Sequence, residues 1–269
     1  MVSLKVNVID TTVELPTGKV FYRDSGGNGA PVVFLHAASG NSMIWEHQIP
    51  AFTSAGYRFI AIDYRGVDGR PGTCDWSDQI DALVKKLGVD RLHLLGTAAG
   101  GGAAFQYALA YREKVRSLIV ANSHGNVTDK DYVEMGKRIR PSPQFEALPL
   151  DFRELGPSYR AAHPEGAAEW LRLSAAGGPE YSGKSSANDG RFPLTPARAV
   201  TWAKLEALKV PTLLITGDAD LYTPPSVLRM FIAHMKDAES AIIPESGHSA
   251  YWENPGVFNR TVLGFIGRH

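Results

Sequence analysis

The sequence predicts an α/β fold: a mostly parallel, doubly wound sheet broken by one helical insertion. Three observations lead there. Short runs rich in Val, Ile and Leu recur at Pro31 to Leu35, Arg58 to Ile62, Leu92 to Leu95, Val115 to Ala121, Pro211 to Thr216 and Ser240 to Ile243. Near-continuous apolar runs of this length suit strands buried on both faces of a parallel sheet. Helical patterns fall between most of them, which implies right-handed βαβ units. One long interval, about His124 to Leu208, shows helical patterns and no strand.

The elements follow in order. Leu4 to Ile9 and Lys19 to Arg23 alternate polar and apolar residues, divided by Pro16 and Gly18, and read as edge strands that turn at Gly26-Gly27-Asn28-Gly29. Within Asp75 to Leu87, the residues Ile80, Leu83, Val84 and Leu87 keep one helical face, and Gly88 supplies the stop. Gly100 to Ala110, Pro225 to Met235 and Pro255 to Ile266 read as helices in the same way. Inside the insertion, helices are expected over Thr128 to Ile139, Pro164 to Ala176 and Pro196 to Leu208, with the turn-rich stretch Pro179 to Pro193 between the last two. Residues 1–123 and 209–269 then form the core. Residues 124–208 form a lid over the strand ends, where open α/β sheets bind ligands.

Composition narrows the function classes. The chain has 269 residues, 28 basic against 28 acidic side chains, and 44% hydrophobic residues. This is ample for a large core, and zero net charge argues against a nucleic-acid binder. The single cysteine, Cys74, excludes an internal disulfide and a cysteine-based metal site. Met1 to Thr12 lacks the apolar run of a signal peptide, and no stretch approaches the ~18 apolar residues of a membrane span. The expectation is a cytoplasmic globular protein without membrane or nucleic-acid partners. On that reading the sequons at Asn126 and Asn259 are fortuitous. A homodimer is left open.

The chemistry concentrates in three strand ends. Leu92-His93-Leu94-Leu95-Gly96-Thr97-Ala98-Ala99-Gly100-Gly101 runs from a strand through small residues straight into a helix. This is the pattern of a nucleophile elbow, G-x-S-x-G, with Ala98 where the serine would stand. A tight strand–helix contact or a phosphate-binding turn would read the same way, although the segment lacks the Lys-Ser/Thr of a P-loop and the full G-x-G-x-x-G spacing. After the next-to-last strand comes Gly217-Asp218-Ala219-Asp220, then Tyr222-Thr223-Pro224-Pro225. The loop after the last strand carries Glu245-Ser246-Gly247-His248. A histidine base needs a carboxylate to set its tautomer. Loops after neighbouring parallel strands can bring the two together. Asp218 competes with Asp220 for that role, and the spacing to the Thr-Pro-Pro turn favours Asp220.

Taken together these segments resemble the α/β-hydrolase superfamily over nearly the whole chain. His36-Ala37-Ala38-Ser39-Gly40 resembles its oxyanion-loop segment. Asp63-Tyr64-Arg65-Gly66 resembles its D-x-R-G turn, and Tyr251-Trp252-Glu253-Asn254-Pro255 resembles the helix start after its histidine. The resemblance implies an α/β-hydrolase fold, a nucleophile position at Ala98, an acid at Asp220 and a base at His248. It also implies an oxyanion hole built from the N–H groups of Ala38 and Ala99. Ala37 in place of the usual glycine, and Val67-Asp68-Gly69-Arg70, depart from the family pattern.

An alanine at the elbow leaves three accounts open. The chain is a serine hydrolase carrying alanine at its nucleophile position; or alanine is native and the His248–Asp220 base acts without a covalent intermediate, as a lyase, isomerase, C–C cleaving or oxygenating enzyme; or the protein binds a ligand without turning it over. Loss of the serine costs a triad on the order of 10⁶ in kcat, roughly 8 kcal/mol. The expected bond is an ester, a lactone or a C–C bond beside a carbonyl, in a medium-sized apolar small molecule.

Candidate substrate contacts are His36, Trp45, His124, Tyr159, Trp170 and Tyr251. Met43, Ile44, Tyr132, Met135, Phe145, Phe152 and Tyr181 read mainly as packing, and His163 as a local or exposed residue. Arg153 and Arg160 are the side chains able to grip a carboxylate, if they are not simply solvated. No metal signature is present and no cofactor is expected. Cys74 has no elbow and reads as inert.

Overall fold

The computed structural model describes residues 7–63, 76–175 and 199–269. Eight strands form one sheet in the order β1-β2-β4-β3-β5-β6-β7-β8. They are β1 Ile9–Leu15, β2 Gly18–Asp24, β3 Pro31–Leu35, β4 Arg58–Asp63, β5 Leu92–Thr97, β6 Val115–Ala121, β7 Thr212–Gly217 and β8 Glu239–Ile243. The expected mostly parallel α/β sheet is therefore present. β3 through β8 pair in parallel, and only β1 with β2 and β2 with β4 run antiparallel.

The N-terminal expectation needs correcting. The first strand starts at Ile9 instead of spanning Leu4 to Ile9, and residues 1–6 lie outside the described residues. β2 is not an edge strand, because it pairs with β1 on one side and β4 on the other. A hairpin turning at Pro16-Thr17, with Gly18 at φ 101°, brings β1 back along β2 and leaves β1 as the edge.

The helices are α1 Gln48–Ser54, α2 Trp76–Lys86, α3 Ala99–Ala110, α4 Lys130–Ile139, α5 Leu150–Glu154, α6 Pro157–Ala162, α7 Pro164–Ala175, α8 Trp202–Glu206, α9 Pro225–His234, α10 Ala250–Glu253 and α11 Pro255–Ile266. α2 buries Ile80, Leu83 and Val84, the face read from the sequence, and the chain leaves it through Gly88 at φ 69°. The sheet's two faces are covered by separate apolar clusters. Val33, Leu35, Leu94 and Leu118 point to one, with α2, α3 and α9; Val32, Phe34, Leu95 and Ile119 point to the other, with α1, α7, α10 and α11. Successive side chains of the central strands β3 to β7 alternate between these clusters, which is why those strands read as near-continuous apolar runs.

Between the end of β6 and the start of β7 the chain forms α4 to α8 and, among the described residues, no strand beyond an isolated bridge between Val127 and Val200. α8 is shorter than the helix expected over Pro196 to Leu208, and residues 196–198 lie outside the described residues, as do Cys74, Tyr181, Pro179 to Pro193 and the segment 64–70. No helix among the described residues is long and apolar enough to cross a membrane.

Candidate active site

The site begins with the path of the backbone after β5. Ala98 takes φ 51° and ψ −118°, in the left-handed half of the map, where a residue with a β-carbon carries strain of about 1–3 kcal/mol. Neighbouring backbone holds it there. Its N–H donates to the Ala121 carbonyl at 3.0 Å, and its carbonyl accepts from the Gly101 N–H at 3.1 Å and from the Ser123 hydroxyl. The flanking glycines make the turn possible. A β-carbon on Gly96 would lie 2.1 Å from the Gly100 carbonyl oxygen, and one on Gly100 would lie 2.3 Å from that of Leu35. The elbow pattern is thus an elbow in space, retained although Ala98 presents only a methyl group.

β3 and β5 are parallel neighbours, with Leu35 opposite Gly96. The loop after β3 and the start of α3 therefore meet at one edge of the sheet. Ala38 lies in that loop and is exposed, and Ala99 is the first residue of α3. The first N–H groups of a helix have no partner inside it, so the Ala99 N–H is one of those donors. His36 is buried at the loop's root, its Nδ1 donating to the Ala37 carbonyl at 2.7 Å.

β6, β7 and β8 follow β5 across the sheet, so the loops after them share that edge. His248 Nδ1 lies 2.9 Å and 3.0 Å from the two carboxylate oxygens of Asp220. A carboxylate only accepts, so Nδ1 carries the proton and Nε2 of the neutral ring is the basic nitrogen. Asp218, the competing acid, instead accepts the N–H groups of Glu245 and Ser246 at 3.0 and 3.1 Å and ties the two loops together.

Asp220 is fully hydrogen-bonded. Its Oδ1 accepts the N–H groups of Tyr222 and Thr223 at 2.8 and 2.9 Å, and its Oδ2 accepts the Thr223 hydroxyl at 2.6 Å and Asn122 Nδ2 at 2.9 Å. Burial opposes its charge, but the His248 charge and hydrogen bond, with Thr223 and Asn122, hold its carboxyl far below the usual carboxylate range. Burial likewise pushes the His248 imidazole down, and the charge and hydrogen bond of Asp220, with the charge of Glu154, push it up by more.

Sequence reading missed four of these neighbours. Asn122, at φ 48°, follows β6 and bridges Asp220 to the Gly247 carbonyl at 3.1 Å. Tyr222 lies against the His248 ring, centroids 4.3 Å apart. Arg140 sits over the Tyr222 ring at 5.6 Å, and Arg153 Nη1 donates to its hydroxyl at 3.1 Å. Glu154, the last residue of α5, is 4% exposed. Asn122, one residue past a strand end, and Tyr222, two residues past Asp220, sit near local signals; Arg140 and Glu154 become neighbours through the insertion.

The expected substrate contacts divide. Trp45, Trp170 and Tyr251 are buried in one aromatic stack: Trp45 lies 4.7 Å from Tyr251, and Trp170 Nε1 donates to the Tyr251 hydroxyl at 3.3 Å. All three lie in the apolar cluster that joins α7 and α10 to the sheet. Tyr159 lies 5.1 Å from the His163 ring on the half-buried face of α6. His124 remains beside the dyad. Burial first, then the charges of Arg140 and His248, push its imidazole down to about 3, so it is neutral at physiological pH. Arg160 is committed to the carbonyls of Phe152 and Leu155, both at 2.7 Å. Arg153 keeps a buried Nε without a partner. Among the described residues no group of three or more His, Cys, Asp or Glu could hold a metal.

Comparison with known proteins shows the family. Residues 30–255 match the family model described as alpha/beta hydrolase fold. A 2-hydroxy-6-oxononadienedioate/2-hydroxy-6-oxononatrienedioate hydrolase of Burkholderia vietnamiensis is 28% identical, with 98% of this chain and 95% of that one covered. A 2-hydroxy-6-oxo-6-phenylhexa-2,4-dienoate hydrolase of Burkholderia cepacia is 25% identical over 90% of each chain. Among solved structures, a thermophilic esterase from Thermogutta terrifontis superposes with TM-score 0.76 at 22% identity, covering 97% of this chain and 98% of the other. The enol-lactonase from Burkholderia xenovorans superposes with TM-score 0.75 at 18% identity, covering 96% and 100%. With the family model spanning most of its length, and the strand order and the elbow in place, the chain belongs to the alpha/beta hydrolase fold family.

Proposed function

We propose that this protein is a hydrolase-type enzyme acting on an ester, a lactone or a carbonyl-activated C–C bond of a small molecule, with His248 as its base and Ala98 at the nucleophile position. The observation that carries the reading is the buried His248–Asp220 pair, set at the same sheet edge as the strained turn at Ala98. The named activities of the relatives, two C–C bond hydrolases by substrate and an esterase and a lactonase by fold, fall in the same range of acyl chemistry.

In this reading Asp220 fixes the imidazole so that Nε2 accepts a proton, and the N–H groups of Ala38 and Ala99 receive the oxyanion that forms as the carbonyl is attacked. Residues 124–208 act as the lid. His36, His124 and Tyr159 contribute to the pocket. Arg140, over the Tyr222 ring, and Arg153, bonded to its hydroxyl, suit a substrate with an apolar body and one carboxylate.

Ala98 itself favours a second reading. Without a hydroxyl no acyl-enzyme can form, so the chain as it stands uses His248 to move protons directly between substrate and site, as a lyase, isomerase or C–C cleaving enzyme does.

The decisive experiment is Ala98→Ser. Serine restores the missing nucleophile to an intact base, so hydrolysis of p-nitrophenyl butyrate should rise by at least about 10³-fold over the alanine protein. No gain in a folded variant would overturn the hydrolase reading.

A further inference from the structure

The insertion places a second buried carboxyl beside the base. α5 ends at Glu154, whose main-chain carbonyl accepts the N–H of Ser249, the residue after the base, at 3.0 Å. Its side chain hydrogen-bonds Ser39 in the loop after β3, and its Oε2 is buried with no partner. A buried ionised carboxylate with one open oxygen is costly, and an apolar residue would fill the same space.

We propose that Glu154 and His248 share one exchangeable proton, so that the site presents a base and an acid to the same substrate, Glu154 being the acid and a further catalytic residue. The inference rests on the reading of His248 as base. The charged and titratable groups whose fields reach Glu154 are His248 and Asp220 from the loops after β8 and β7, Tyr222 from the Asp220 loop, Tyr251 from α10 and Arg153 beside it on α5, with a hydrogen bond from Ser39 in the loop after β3; Arg140 and His124 act on His248. Asp220 is ionised and both tyrosines stay neutral, since burial pushes their hydroxyls up. Burial also pushes the Glu154 carboxyl up, against the pull of His248 and Ser39. The remaining proton therefore resides on either the imidazole or the Glu154 carboxyl.

The chemistry balances without a co-reactant. Neutral His248 takes a proton from the carbon beside a substrate carbonyl, and that electron pair becomes the C=C bond of an enol. Glu154 gives its proton to the carbonyl oxygen. The pair is then imidazolium and carboxylate, and the reverse transfers, with the proton returned to the same or another carbon, restore both groups.

The test is an NMR titration of the His248 ring in the full-length Ala98 protein, its signal assigned by loss in His248→Ala. Two interacting groups titrate as a pair. In the unaltered protein the ring shift should follow two steps separated by more than about one pH unit. In Glu154→Gln, which keeps the size and the Ser39 contact, one step should remain, with its midpoint lowered because the imidazolium has lost a neighbouring anion. A single, identical step in both proteins overturns the inference, and should the variant not fold, a single step in the unaltered protein does the same. In the Ala98→Ser background, Glu154→Gln should also move the acid limb of kcat/KM for p-nitrophenyl butyrate to lower pH; an unmoved limb overturns the coupling. If Ala98→Ser gains no esterase activity while the two steps are seen, the hydrolase reading fails and the shared proton stands.

Discussion

Asp220 shows how much of the site rests on one side chain. It gathers the main-chain N–H groups of its own loop, a hydroxyl, an amide and the imidazole, and each contact favours the ionised form. Asp220→Asn keeps the shape but presents an amide that can donate toward Nδ1, which favours the wrong tautomer. In the Ala98→Ser background that change should lower kcat on p-nitrophenyl butyrate by roughly 10⁴-fold, with KM little altered. A loss below tenfold would mean that His248 takes its orientation from elsewhere. At this scale the sequence was readable where a motif is local. The elbow, Asp220 and His248 each sit within a few residues of a strand end. Tyr222 was read only as part of a turn, because nothing in a Tyr-Thr-Pro-Pro sequence shows that its ring lies on a histidine from another loop.

At the scale of elements, the notable joint lies between the insertion and the His248 loop. Gly156 and Gly247 meet backbone to backbone: a β-carbon on Gly247 would lie 2.4 Å from the Gly156 nitrogen. Glu253 on α10 clamps the contact. Its Oε2 accepts the Gly156 N–H at 2.6 Å, and its Oε1 accepts those of Gly247 and Ser249 at 2.9 and 3.2 Å. Burial outweighs these donors and pushes its carboxyl up from 4.5 to about 7. Between those values the folded protein binds more protons at Glu253 than the unfolded chain does. Its contribution to stability is thus fully present below pH 4.5 and lost as pH rises through about 7. Glu253→Gln removes that dependence and leaves one amide without an acceptor, at a cost of about 1–3 kcal/mol. Urea unfolding at pH 5 and pH 8 should show the wild-type minus variant difference shrinking toward pH 8, and an equal difference at both would refute the assignment. The tether was invisible in the sequence, where Glu253 stood only as one letter of a family-like helix start.

For the whole molecule, the insertion is held down by large buried rings and crossing hydrogen bonds. Trp170 from α7 donates to the Tyr251 hydroxyl, and the Tyr251 ring lies against Trp45; Asn41 Nδ2 donates to the Leu173 carbonyl at 2.8 Å, and Trp252 Nε1 donates to the Gly166 carbonyl at 3.2 Å. Trp170→Ala should therefore lower unfolding free energy by about 3–5 kcal/mol in urea titration, the range for emptying a buried aromatic site. A loss under 1 kcal/mol would show that α7 is not anchored through that ring.

The chain alone determined the class of sheet, the run of helices between β6 and β7, and the three strand-end motifs. Those depend on apolar period, glycine spacing and chain order, all of which are local along the sequence. Only the folded molecule set Asp220 and not Asp218 against His248, buried Trp45, Trp170 and Tyr251 in one apolar cluster, and gathered Glu154, Tyr222, Arg140 and Arg153 near the imidazole. Those outcomes depend on which loops end at the same sheet edge and on how the insertion folds back over it. They join residues tens of positions apart, a distance over which propensity and periodicity carry no information.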